Sequence, residues 1–112
     1  MKNCIFCKMV SGEISCNKVY EDGDFLAFRD INPQSPVHIL IIPKKHISSL
    51  SETKDKVMLG SLLCLTSEIA RQQQIEQSGY RVVINTNKNA GQSVEHLHVH
   101  LLGGRPMSWP PG

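Results

Sequence analysis

The chain has 112 residues, enough for one domain around a single hydrophobic core and too few for two. Apolar residues make up 40% of it and charged residues 20%, a balance that excludes a disordered polar chain or a collagen-like fibre. The net charge of +2 is too mild for a nucleic-acid binder, and the one basic cluster, Lys44-Lys45-His46, reads as a solvated strand end.

Met1-Lys2-Asn3 runs straight into Cys4-Ile5-Phe6-Cys7 without the apolar stretch and cleavage site of a secretory signal. The apolar run Ile39-Leu40-Ile41-Ile42 falls far short of a membrane span. The expectation is a cytoplasmic protein with no membrane partner, in which Cys4, Cys7, Cys16 and Cys64 stay reduced. Phe6, Met9 and Val10 fall at helical spacing before Gly12, which predicts a short helix over 5–11 ended by glycine. Residues 18–20 and 25–28 read as strands, joined at Asp22-Gly23 by a type I′ hairpin turn. Two prolines make 32–36 a loop, and the β-branched run from Val37 to Pro43 predicts a central strand.

Residues 54–76 carry the longest helical pattern, with Leu59, Leu62, Leu63, Ile69 and Ala70 close to one face, Thr53 as N-cap and Gly79 as the stop. A strand over 81–85, a polar loop over 86–93, a final strand over 94–102 and an extended tail complete the chain. About five strands, one long helix and one short one, with strands mainly neighbours in sequence, give a single α+β domain on an antiparallel sheet. Gly103-Gly104 lacks the spacing of a dinucleotide fingerprint, and there is no Walker sequence.

Of five histidines, three are His96, His98 and His100. On a strand these share a face, roughly 7 Å apart, while Leu97, Val99 and Leu101 point to the core. A row of imidazoles can donate, accept or attack near neutral pH. Thr, Lys or Glu would cover a polar sheet face equally well, so simple solvation explains the row poorly. Two histidines at i and i+2 also make a pair of zinc ligands, which keeps a zinc-dependent hydrolase open. The remaining reading is covalent catalysis, in which a neutral imidazole with one bare nitrogen attacks phosphorus while its neighbours bind the phosphate oxygens. Gly91, Gln92 and Ser93 in the preceding loop supply a close backbone approach, an amide and a hydroxyl.

The run His96-Leu97-His98-Val99-His100-Leu101-Leu102 matches the His-x-His-x-His-x-x signature of the histidine triad (HIT) family. The resemblance extends along the chain through Leu26–Pro36, His38–Ile47, Gly91–Val94, Gly103-Gly104-Arg105 and Trp109–Gly112, and the last pieces resemble the Hint branch. It implies a homodimeric purine nucleotide-binding hydrolase of nucleoside 5′-phosphoramidates, such as adenosine 5′-monophosphoramidate, acting without a catalytic metal. It implies His98 as nucleophile, His100 on the phosphate, Ser93 on the phosphate or leaving group, and His96 and His38 completing the network that fixes tautomers. Asp30 would hold the ribose hydroxyls. Ile5, Phe6, Phe28, Ile31 and Leu40 would wall the purine, Asn85 would sit near the phosphate, and Trp109 would reach the partner subunit's site. Plain core packing remains the alternative for Phe6, Phe28, Ile31 and Leu40. Glu95 departs from the aromatic residue that relatives carry before the triad, which leaves the substrate range open. A nucleotide-binding module with little catalysis is the further alternative.

Cys4-x-x-Cys7 has the spacing of half a zinc site. By resemblance to bacterial relatives, His46 and His96 would complete a structural zinc site with it. The plainer reading, two small packed thiols, stands beside it; Cys16 and Cys64 read as packing residues.

Overall fold

The computed structural model describes residues 3–112. Its elements run α1 (Ile5–Val10), β1 (Lys18–Glu21), β2 (Phe25–Arg29), β3 (Val37–Pro43), a 3-10 turn (Leu50–Glu52), α2 (Lys56–Gln72), β4 (Tyr80–Val83), α3 (Asn87–Ala90) and β5 (Val99–Gly103). The strands form one antiparallel sheet in the order β1-β2-β3-β5-β4. The α+β architecture and the central place of β3 agree with the sequence, and α3 is a single turn inside the expected polar loop. Among the described residues no helix is long and apolar enough to cross a membrane.

Each face of the sheet has its own apolar layer. Ile39, Ile41, Val99 and Leu101 pack against Leu62, Ile69 and Ala70 of α2. Thr66 joins this layer because its hydroxyl donates to the Leu62 carbonyl at 2.9 Å, so burial leaves no orphan donor. Leu63, expected on the same face, is 49% exposed; one residue turns a helix by about 100°, and the neighbouring Leu62 takes the inward position. On the opposite face Phe6 of α1 packs on Leu26, Phe28, Leu40 and Ile42.

Several expected boundaries shift for local reasons. Asp55, rather than Thr53, caps α2, its carboxylate accepting from the Met58 N–H at 3.0 Å. The helix stops well before Gly79. Gln74 turns left-handed (φ 60°), and Ile75 N–H reaches the Ala70 carbonyl at 3.1 Å while Gln74 N–H reaches that of Arg71 at 3.0 Å. This closure drops Ile75 into the core. The β1–β2 connection is not a type I′ turn, since Gly23 lacks the positive φ that turn needs. Instead Asp22 Oδ1 accepts from the N–H groups of Asp24 and Phe25, both at 2.8 Å.

The last strand matters most for the site. Regular pairing begins at Val99, not at 94, with Ile41 opposite Val99 as the first rung. Beyond it β3 offers Pro43, which has no N–H, and the Pro43 carbonyl is taken by the His96 ring at 2.8 Å. Residues 94–98 therefore approach the sheet irregularly, tied by the Leu97 N–H to the Ile47 carbonyl at 2.6 Å. Alternation survives: Leu97 belongs to the α2-side core, and His96 and His98 face Phe6 of α1.

Candidate active site and metal centre

Leu40 lies opposite His100 and His38 opposite Leu102, so His38 and His100 are diagonal neighbours on the face away from α2. The Gln34 N–H donates to His38 Nδ1 at 3.0 Å, which places the His38 proton on Nε2. That N–H donates to His100 Nδ1 at 2.9 Å. His100 must then carry its own proton on Nε2. His98 donates Nδ1–H to the His96 carbonyl at 2.7 Å, leaving its Nε2 bare. Two successive imidazoles thus end in opposite states, one a bare nitrogen and the other an N–H, with ring centroids 5.0 Å apart.

Both rings line a cavity of about 300 Å³, at the small end of ligand sites. Ile5, Phe6, Phe28, Ile31 and Leu40 give it apolar walls, and Asp30 and Ser93 join the histidines as polar lining. Ile31 is 97% exposed, an isoleucine standing in water at the mouth. The histidine face is not open, as a bare sheet face would be: α1 roofs it, and His98 is only 4% exposed.

Four of the residues selected for the nucleotide pocket do not line this cavity, and neither do His38 and His96. Gln92 is occupied as a brace, its amide donating to the carbonyls of Ser48 (2.7 Å) and Val94 (3.0 Å) and accepting from the Asn87 N–H (2.9 Å). Gly91 caps α3 at φ 80°. Asn85 follows β4 at half-burial. Trp109 is 81% exposed and lies 6.0 Å from the Arg81 guanidinium. Conversely Met9, Ser15, Cys16, Asn17, Arg29 and Val94 line the cavity without having been selected for it. Met9 lies on the face of α1 that the helical spacing marks, Cys16 reads as a packing residue, and Arg29 and Val94 fall in runs that carry the resemblance; nothing in the sequence marks Ser15 or Asn17.

Burial holds the imidazoles neutral. Desolvation is the largest cause for His98, His38 and His100 alike; His100, beside His98 and His38, is pushed down to about 4. In His98 and His38 the nearby Asp30 carboxylate opposes the shift without reversing it. A neutral ring with a bare nitrogen is a nucleophile; a protonated one is not.

His96 does something else. Its ring is fully buried and turns from the cavity toward the thiols, donating Nε2–H to Pro43. The expected part of its side chain in the tautomer network is therefore corrected: its main-chain carbonyl, not its ring, meets His98. Its Nδ1 lies 3.3 Å from Cys4 Sγ and 3.6 Å from Cys7 Sγ, and His46 Nδ1 lies 3.3 Å from Cys7 Sγ. All four donor atoms fall within 4.8 Å of one another. Donors of a tetrahedral zinc ion, at their usual bond lengths, stand roughly 3.5 Å apart. The donor set fits such an ion, and the Pro43 carbonyl fixes the His96 tautomer as an outer partner does in metal sites. The three triad imidazoles do not converge on one point: His96 joins the cysteines, while His98 and His100 stay in the cavity.

Residues 11–107 match the family model described as the HIT domain. The chain belongs to the HIT family. The 14 kDa zinc-binding protein of Zea mays is 52% identical over 112 residues, which cover 96% of this chain and 87% of that protein. The structure of a HIT family hydrolase from Legionella pneumophila Philadelphia 1 matches with a TM-score of 0.96 at 49% identity, covering 98% of this chain and 100% of that one. The histidine triad nucleotide-binding protein of Candida albicans matches at 0.84 and 32%, covering 96% and 83%. The family match spans His38 and the whole triad but begins after both cysteines of the cluster.

Proposed function

We propose that this HIT protein hydrolyses purine nucleoside 5′-phosphoramidates in the manner of the Hint branch, through a nucleotide held covalently on His98. The observation that carries the reading is the bare His98 Nε2 beside the His100 Nε2–H in one cavity. The Legionella hydrolase and the Candida nucleotide-binding protein are consistent with it.

The base enters between Phe6, Phe28, Ile31 and Leu40, and Asp30 accepts from the ribose hydroxyls. His98 Nε2 attacks phosphorus. The phosphorus–nitrogen bond breaks, and the amine leaves with a proton taken from water while the Ser93 hydroxyl and His100 Nε2–H bind the phosphate oxygens or the departing nitrogen. The hydroxide so formed then displaces His98 from phosphorus and releases the nucleoside monophosphate. Cys4, Cys7, His46 and His96 hold a structural zinc, which when bound ties the N-terminal segment to the sheet and takes no part in the bond changes. The protein works as a cytoplasmic homodimer, with the exposed Trp109 ring reaching the partner's site.

The test is rapid denaturation at alkaline pH, where a nucleotidyl-histidine bond survives, of the protein mixed with an adenosine phosphoramidate, followed by peptide mass spectrometry kept free of acid until detection. A nucleotidyl adduct on His98, absent from His98→Ala, is the expected result. Nucleotide binding with neither adduct nor turnover would leave a binding module in place of an enzyme.

A further inference from the structure

The metal cluster and the nucleotide cavity share a wall. Cys4 and Cys7 bracket Ile5 and Phe6, so the turn that brings two thiols to the cluster also brings two apolar residues to the cavity. Phe6 stands edge-on to His98 at 5.2 Å, to Phe28 at 5.3 Å and to His96 at 5.9 Å between centroids. At six residues, α1 is too short to persist as a helix without being tied down.

They also share a residue. His96 gives Nδ1 to the thiols, Nε2–H to Pro43, and its main-chain carbonyl to the His98 Nδ1–H. That carbonyl lies in the stretch 94–98, which regular pairing does not reach. What holds the His98 proton on Nδ1 is thus a peptide group whose side chain is anchored in the cluster. Which nitrogen of an imidazole is protonated follows the hydrogen bond the other makes, so losing this acceptor lets the proton move to Nε2 and removes the bare nitrogen.

We propose that Cys4, Cys7 and His46 are positioning residues for the nucleotide reaction: by gathering α1 and His96 at one point, they keep the His98 proton on its main-chain acceptor and Phe6 against the base. This rests on the phosphoramidate reading for its consequence in turnover and on the four donors holding a metal. It makes the cluster part of the active site's construction and not a remote staple.

The test uses the full chain with zinc bound, after chelation, and as Cys4→Ser and Cys4→His. The two readouts are histidine-ring nitrogen NMR, which reports the His98 tautomer without any nucleotide, and the dissociation constant for adenosine monophosphate. Zinc loss is expected to turn a single Nδ1–H form of His98 into two exchanging tautomers and to weaken nucleotide binding tenfold or more. Cys4→His, which keeps four donors, restores both. A Cys4→Ser protein with native far-UV circular dichroism, no zinc, an unchanged His98 signal and nucleotide affinity within twofold of wild type overturns the proposal. If that variant does not fold, graded zinc release from wild type, followed by the same two signals, decides in the same way. Protein expressed with zinc available yet containing none ends both the metal assignment and this inference. A His98 response to zinc in a protein that does not cleave phosphoramidates ends the hydrolase reading and leaves the positioning role standing.

Discussion

His96 and His98 are two residues apart, face the same side of the chain, and are almost completely buried, yet their bare nitrogens meet different surroundings. His98 gives its proton to a main-chain carbonyl and turns Nε2 to a cavity; His96 does the same with Pro43 and turns Nδ1 to two thiols. Each ring is neutral for the same reason, desolvation. What separates the roles is the surroundings of the free nitrogen, polar soft donors in one case and a ligand-sized space in the other. A run of alternating histidines can therefore turn one bare nitrogen to a cavity and another to a pair of thiols, provided that neighbouring elements divide the face between them.

The strongest way to break this comparison is to delete each ring in turn. His98→Ala is expected to cut phosphoramidate turnover by about 10⁶-fold, the scale of losing a covalent nucleophile, with zinc content unchanged. His96→Ala is expected to empty the cluster and cost turnover on the order of a hundredfold, the scale of losing an outer support. Metal analysis and steady-state kinetics on the two proteins read this directly. Equal losses of rate with zinc retained in both would erase the distinction.

The next effect is on stability and comes from His100. Its pKa falls from 6.5 in the unfolded chain to about 4 in the folded one, so between those values the unfolded chain binds more protons. The stabilising contribution is complete above pH 6.5 and disappears as pH falls through the folded value. A shift of this size sets an upper bound of about 3 kcal/mol, reduced by the solvent that reaches this partly buried ring. Urea unfolding of wild type and His100→Asn across pH 7 to 4 checks it: the wild-type advantage is expected to shrink on acidification. A difference that stays flat contradicts the burial assigned to this ring.

The sheet and its α2-side core were legible in the sequence, because alternation over 96–102 and the β-branched run over 37–43 directly report strands and one inward face. The cavity walls were legible only through family likeness, since Phe6, Phe28 and Leu40 satisfy a core and a ligand equally well. The division of the triad was legible only by resemblance, which set His96 beside Cys4, Cys7 and His46. Alternation says that three rings share a face; it does not say that α1 lands on that face with two thiols, because this contact joins residues about ninety positions apart. The early end of α2 was hidden for a related reason: Gln74 takes a left-handed conformation that its residue type does not favour, and burial of Ile75 accompanies it.

A smaller effect separates binding from chemistry inside the cavity. Asp30 lines it and stands 3.4 Å from His38 Nε2. If the Asp30 carboxylate accepts from the ribose diol as proposed, Asp30→Asn removes that charge and is expected to raise KM about tenfold, the worth of one charge-assisted hydrogen bond. With kcat held within about threefold, the kinetics place Asp30 on binding. A fall in kcat with KM unchanged would move it to the histidine chain.

The finest distinction concerns His38, which does not line the cavity and meets its lining at His100 and, more distantly, Asp30. If its contribution is to donate a proton to His100 Nδ1 and so keep the His100 N–H on the cavity side, then any neutral donor of similar reach substitutes for it. His38→Gln carries an amide N–H and is expected to stay within about threefold of wild-type kcat. His38→Leu fills the space without a donor and is expected to lose about tenfold, the scale of one hydrogen bond in a desolvated setting. The pH profile adds a check that packing alone would not move. With no donor on its Nδ1, His100 accepts a proton more readily, and the acid limb of kcat/KM rises toward neutral pH in His38→Leu while staying in place in His38→Gln. Two variants with the same acid limb would mean that His38 fills space here and leaves the neighbouring tautomer alone.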